Sequence, residues 1–179
     1  MKKYLTILLI FSAGLTLNAQ RFICKSGETS FFSETPLEDI QAVSKTVTAI
    51  IDVPSNAIAV KMQIADFTFP NKLMQEHFNE NYLESEKYPS GVFSGKINEK
   101  IDYAKDGTYN ISATGKLQLH GVTQVRTLKG KMTIKNGLPT LICAFDVKLA
   151  DHKIDIPTIV VAKIAENIEI KNTFAFSKQ

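Results

Sequence analysis

Polar and apolar residues alternate with a period of two through most of this chain, and that pattern predicts β-strands. Residues 43–53 are rich in β-branched side chains, and Pro54-Ser55-Asn56 ends them in a turn. Residues 57–65 then alternate cleanly, with Ile58, Val60, Met62 and Ile64 on one side and Ala59, Lys61 and Gln63 on the other. These two runs predict a hairpin. After Pro89, Gly91, Phe93, Gly95 and Ile97 share a side, and Asp106-Gly107 is a turn signal. Residues 108–119 set Tyr109, Ile111, Ala113, Leu117 and Leu119 against Asn110, Ser112, Thr114, Lys116 and Gln118. His120-Gly121 turns the chain, and Leu128, Gly130, Met132 and Ile134 form the next apolar face. Asn136-Gly137 marks another hairpin, followed by Leu141, Cys143, Phe145, Val147 and Leu149. The last run aligns Ile168, Ile170, Phe174 and Phe176, with Asn172 a polar exception on that face. Residues 158–165 are apolar on both sides and fit no single period.

One segment breaks the alternation. Pro70 ends a strand and Asn71 can cap a helix over residues 71–82. Leu73, Met74, His77 and Phe78 then fall on one face, with Gln75, Glu76, Asn79 and Glu80 opposite. The expectation is an amphipathic helix of about three turns lying on the sheet or across an opening. Seven or eight antiparallel strands, each with one wet face, must bury the other by stacking or by closing into a barrel. Gly95, Gly115 and Gly130 within strands suit the bends of a closing barrel and leave space inside it.

The N-terminus adds an address. Lys2 and Lys3, an uncharged apolar stretch over residues 4–17, and small Ala19 form the three-part pattern of a secretory signal peptide. The stretch is short of the ~20 residues that span a bilayer. The expected division is a signal peptide over residues 1–19 and one domain over residues 20–179, periplasmic or secreted, with no permanent membrane anchor. Lys2 and Lys3 account for two of 21 basic residues, against 18 acidic ones, so the domain itself is near neutral. That balance gives no electrostatic footprint for nucleic acid. Export also permits Cys24 and Cys143 to pair. Both sit on the inward side of their strands, and a disulfide or two separate buried thiols fit equally.

Little in the sequence carries catalysis. His77, His120 and His152 share no metal-ligand spacing with one another or with the cysteines. They read as surface or boundary residues, and no metal or cofactor is expected. There is no Gly-x-Ser-x-Gly elbow and no phosphate-cradling glycine loop. Asp151-His152-Lys153-Ile154-Asp155 sets a base beside carboxylates, as charged turns commonly do, and Glu84 and Glu86 read as a solvated turn. Asn110-Ile111-Ser112 matches a glycosylation sequon, a pattern that chance supplies often.

Three stretches carry a family likeness. His77-Phe78-Asn79-Glu80-Asn81-Tyr82-Leu83-Glu84-Ser85-Glu86-Lys87-Tyr88-Pro89, followed by Val92-Phe93, runs from a helix through Lys-Tyr-Pro into a strand. Gly115-Lys116-Leu117-Gln118-Leu119-His120-Gly121-Val122-Thr123 is the most specific, and Ala165-Glu166-Asn167-Ile168-Glu169-Ile170 is the third. Over roughly residues 45–175 the chain resembles the YceI-like family of exported, lipocalin-like polyisoprenoid-binding proteins. It departs from the family's pattern in three places. Residues 24–42 lack the usual His-Ser opening, Gln118 stands for a Thr, and residues 149–154 replace a basic segment with Phe-Gly.

The resemblance implies an all-β fold with one short helix, an antiparallel eight-stranded lipocalin-like barrel. It implies a non-enzymatic binding protein whose partner is an isoprenoid or fatty amphiphilic lipid. The expected lining is Ile58, Val60, Met62, Phe93, Tyr109, Ile111, Phe145, Val147 and Ile168, with Leu73, Met74 and Phe78 of the helix flanking the cavity. Burying roughly ten methylenes is worth about 8 kcal/mol before association costs. The alternative is an envelope structural or interaction module with a filled barrel. An enzyme using His120 and the Asp151-His152 loop ranks behind both. A homodimer is compatible with the sequence, and nothing in it selects one.

Overall fold

A computed structural model describes residues 20–37, 39–156 and 164–179. The expected signal peptide and most of the ambiguous run over 158–165 lie outside them. The strands are β1 (Arg21–Ser33), β2 (Ile40–Asp52), β3 (Ala57–Gln63), β4 (Ser90–Ile97), β5 (Gly107–Leu119), β6 (Val122–Lys135), β7 (Leu138–Lys148), β8 (Asn167–Ala175) and the short β9 (Ser177–Lys178). Each of β1 to β8 pairs antiparallel with its chain neighbour, and β8 pairs back onto β1. The ring is therefore a closed eight-stranded meander in which every barrel strand has a partner on both sides.

Strand alternation turns one face of every strand inward. Two double interruptions reset it. In β1 the inward set passes from Phe22 and Cys24 to Gly27, Thr29, Phe31 and Ser33, across the exposed pair Lys25-Ser26. In β2 it passes from Ile51, Ala49 and Val47 to Ser44, Ala42 and Ile40, across Lys45-Thr46. These are β-bulges, which bend and twist a strand so that it can round the barrel. They also break the period-two alternation within β1 and β2. Gly95 and Gly115 are directly paired between β4 and β5. A Cβ on Gly95 would lie 2.5 Å from the Thr114 carbonyl oxygen, so these glycines permit close backbone approach and do not open space inside.

The interior divides into two apolar clusters. One closes the end of the barrel that holds the β2–β3, β4–β5 and β6–β7 connections. There Phe22 packs on Tyr103 with ring centroids 5.0 Å apart, and Met132, Ile134, Phe174 and Phe176 are buried around them. Burial pushes the Tyr103 hydroxyl up to about 12, since its ionised form would lose water. The second cluster fills the opposite end beneath the single helix. That helix is shorter than its pattern predicts. Asn71 caps it, its Oδ1 accepting from the Leu73 and Met74 amides at 3.0 and 3.4 Å. Only Lys72–His77 (α1) is α-helical, and Phe78–Tyr82 widens into a π-helical turn. The buried face runs through Met74, Phe78 and Leu83. Leu73, about 100° round the axis from Met74, is 57% exposed instead of packing inward.

Candidate functional site: a two-chambered barrel interior

The space under the helix is a wholly apolar cavity of about 120 Å3. Its roof is Met74, Phe78, Tyr82 and Leu83, and an aromatic cluster of Phe31, Phe67, Phe69 and Phe78 packs at one side with centroids 5.0–5.8 Å apart. The barrel supplies Met62, Leu117, Leu119, Phe145, Val147, Ile168 and Ile170, and the β7–β8 connection adds Leu149, Ile154 and Ile164. A second chamber of about 50 Å3 lies deeper, among Ile58, Val60, Phe93, Ile111, Ala113, Leu128, Leu141 and Phe174. Met62, Leu117 and Phe145 line both chambers and so form the partition between them.

The expected lining residues divide between the two. Met62, Met74, Phe78, Phe145, Val147 and Ile168 line the mouth chamber, while Ile58, Val60, Phe93 and Ile111 line the inner one, with Met62 and Phe145 touching both. Two residues lie elsewhere. Leu73 faces solvent, for the helical reason already given. Tyr109 lines neither chamber, because it stands near the closed end and its hydroxyl donates to the Lys105 carbonyl at 3.0 Å. Sequence alternation placed it on the right face but says nothing of height along the barrel. The Phe31, Phe67, Phe69 group was missed, since β1 is reset by its bulge and Phe67 and Phe69 follow β3 outside any regular strand.

The few polar groups inside are mostly paired with one another. Asn172, the exception on the β8 apolar face, is 4% exposed. Its Oδ1 accepts from Thr29 Oγ1 at 2.7 Å, and its Nδ2 points to Cys143 Sγ at 3.5 Å. The residue thus meets the rule that a buried polar group finds a partner. Ser33 Oγ accepts from the Ala165 amide at 2.9 Å. Cys24 and Cys143 are both free thiols, and burial raises the Cys143 pKa, which is the opposite of an activated nucleophile.

A polar clasp joins the segments around the mouth. His120, in the β5–β6 turn, places Nε2 2.8 Å from Glu84 Oε2 and Nδ1 3.1 Å from the His152 carbonyl oxygen. A carboxylate and a carbonyl only accept, so a ring nitrogen that carries hydrogen donates to the partner it faces. Glu84 follows the π-helical turn, and His152 ends a 3-10 turn over Leu149–His152, so three connections are tied through one imidazole. The hydrogen bond from His120 lowers the Glu84 pKa, and Lys87, 3.5 Å away, assists. Glu84 is therefore no free solvated turn residue. Nor is His152 a boundary residue, since it is 0% exposed, with Nδ1 on the Leu119 carbonyl at 3.3 Å. The Tyr88 ring meets His120 edge-on at 4.5 Å and leaves no room for a side chain at Gly121. The Lys-Tyr-Pro and His-Gly segments, 30 or so positions apart, form one contact.

No group of three or more His, Cys, Asp or Glu residues placed to hold a metal occurs among the described residues. No described helix is long and apolar enough to cross a membrane.

Several solved structures share this architecture. Burkholderia cenocepacia BcnA superimposes with a TM-score of 0.71 at 14% identity, covering 84% of this chain and 96% of its own. A polyisoprenoid binding domain from Saccharophagus degradans, described as implicated in plant cell wall breakdown, gives 0.71 at 12% identity, covering 90% and 99%. The Campylobacter jejuni YceI protein gives 0.56 at 22% identity, covering 76% and 82%. These identities establish a shared fold. No curated protein matches the chain. The family of YceI-like domains matches residues 18–176, nearly the whole chain and all eight barrel strands, and the protein belongs to that family.

Proposed function

We propose that this protein is an exported carrier that shields an isoprenoid or fatty amphiphilic chain inside its barrel and performs no chemistry on it. The observation that carries the reading is the apolar mouth chamber beneath the helix, with a second apolar chamber behind a partition that includes a methionine. The description of the Saccharophagus degradans relative as polyisoprenoid-binding supports the ligand class. An exported, periplasmic or secreted location suits such a role, because a water-insoluble chain needs shelter between membranes.

Magnitudes show what binding requires. The resting chambers hold about 120 and 50 Å3. At about 30 Å3 per methylene-sized group, comparable to the share of one water, they take five or six groups. These are worth roughly 4–5 kcal/mol at 0.8 kcal/mol each. Association costs at least about 4 kcal/mol, so the resting volume alone barely holds a ligand. A bound chain must therefore displace flexible side chains, and Met62 and Met74 are the adaptable ones at the wall.

The small resting volume also favours a second reading, a filled barrel that serves as an envelope interaction module. Native mass spectrometry and calorimetric titration with geranylgeraniol separate the two. The carrier reading expects a one-to-one adduct and micromolar or tighter binding. Absence of any adduct with geranylgeraniol and with dodecanol would leave the module reading standing.

A further inference from the structure

We infer that the inner chamber has its own access through the barrel wall, a side slit between β6 and β7 that admits the alkyl chain of a single-tailed amphiphile. This rests on the carrier reading for its ligand class and concerns a different route from the mouth. The pairing of β6 with β7 covers only residues 130–135 against 138–143. Beyond the Gly130–Cys143 rung both strands continue, held on their other sides by β5 and β8, yet residues 122–129 and 144–148 share no rung. An unzipped seam leaves facing backbone groups that need other partners.

Side chains bridge the seam. Arg126 donates across it from Nη2 to the Asp146 carbonyl at 2.8 Å, and just past its end Gln124 donates from Nε2 to the Asp151 carbonyl of the 3-10 turn at 3.0 Å. By strand parity both belong to the inward set with Leu128 and Met132, but they reach sideways across the gap. They act as a latch of two long, flexible side chains where a ladder would be rigid.

Cavity and surface meet at the foot of this seam. Ile111, Lys129, Gly130 and Cys143 line the inner chamber and also an outer groove that runs over β5, β6 and β7. The groove has Ile142 and Ala144 on one side and Asn110, Ser112, Lys131 and Thr133 on the other. Ile142, pointing outward, is an exposed large apolar residue at its edge. An alkyl chain passing the seam would thus lie on apolar groups on both sides of the wall, and a hydroxyl or other polar head would remain in the hydrogen-bonding groove.

Cys143 is a native reporter at this point, and Cys24, buried elsewhere in the core, is its internal control. The rate of N-ethylmaleimide addition to each thiol is followed by peptide mass spectrometry in the full domain, with and without saturating dodecanol. The slit predicts that Cys143 reacts at least about tenfold faster than Cys24 and that dodecanol slows Cys143 at least about tenfold. It predicts also that Gln124→Ala/Arg126→Ala speeds Cys143 without speeding Cys24. Equal rates at the two thiols in both proteins would overturn the slit, as would dodecanol binding that leaves Cys143 unprotected. If the double variant does not fold, the wild-type comparison decides alone. Geranylgeraniol binding with an inaccessible Cys143 would retain the carrier and remove only the slit. An accessible, latch-dependent Cys143 in a protein that binds no chain would overturn the carrier and, with it, the passage of an alkyl chain through the slit.

Discussion

Met62→Ala tests whether the partition between the chambers governs binding. Met62 touches both chambers and packs against both apolar clusters. The substitution removes three methylene-sized groups from a half-buried side chain. Lost transfer energy at about 0.8 kcal/mol per group gives ~2 kcal/mol. The added void, roughly 90 Å3 at about 24 cal/mol per Å3, gives a similar amount, and partial relaxation brings the expected loss to about 3 kcal/mol. For a domain of this size that lowers Tm by roughly 6–12 °C. The same change joins chambers of about 120 and 50 Å3 into one space. With the void included it reaches roughly 260 Å3, close to the lower end for ligand pockets. A chain that no longer has to displace Met62 should bind about tenfold tighter. Thermal melts by circular dichroism and calorimetric titration with geranylgeraniol read the two effects separately. A stability loss with unchanged or weaker binding would refute the partition and return Met62 to the role of ordinary core.

Three further outcomes are expected. Asn172→Leu leaves the buried Thr29 hydroxyl without its acceptor and should cost about 1–3 kcal/mol in urea unfolding, while Thr29→Val/Asn172→Leu should recover most of it, because an apolar pair replaces a satisfied polar one. Gly121→Ala puts a Cβ 2.6 Å from Tyr88 Cε1 at a φ of +72°, so it should lower stability by about 1–2 kcal/mol and shift the His120 ring resonances by NMR. The Glu84 carboxyl is held below its ordinary 4.5 by His120. Its contribution is therefore complete above that value and fades as pH falls through the lowered one. Glu84→Gln should flatten that acid limb in melts between pH 6 and 3, and an unchanged limb would show that the clasp adds nothing.

Much of the barrel is legible in the residue pattern because a sheet with one wet face writes its burial as a period of two. β3 to β8 follow that rule, so their inward sets, including nine of the twelve expected lining residues, fall on the right side. The rule fails where the backbone departs from it. The bulges at Lys25-Ser26 and Lys45-Thr46 break the alternation within β1 and β2, and the π-helical turn shortens a helix whose periodicity continues past it.

Sequence alone determined the family, the antiparallel all-β class, and which face of most strands is apolar, since each follows from short-range periodicity or from contiguous motifs. Only the tertiary structure decided the rest. Height along the barrel separates Tyr109 from the chambers. Ring closure brings Glu84, His120 and His152 together, and makes Asn172 the partner of Thr29. The count of shared rungs leaves the β6–β7 seam half zipped. These are relations between residues far apart in the chain, set by strand shear and closure, and no local pattern of polar and apolar positions encodes them.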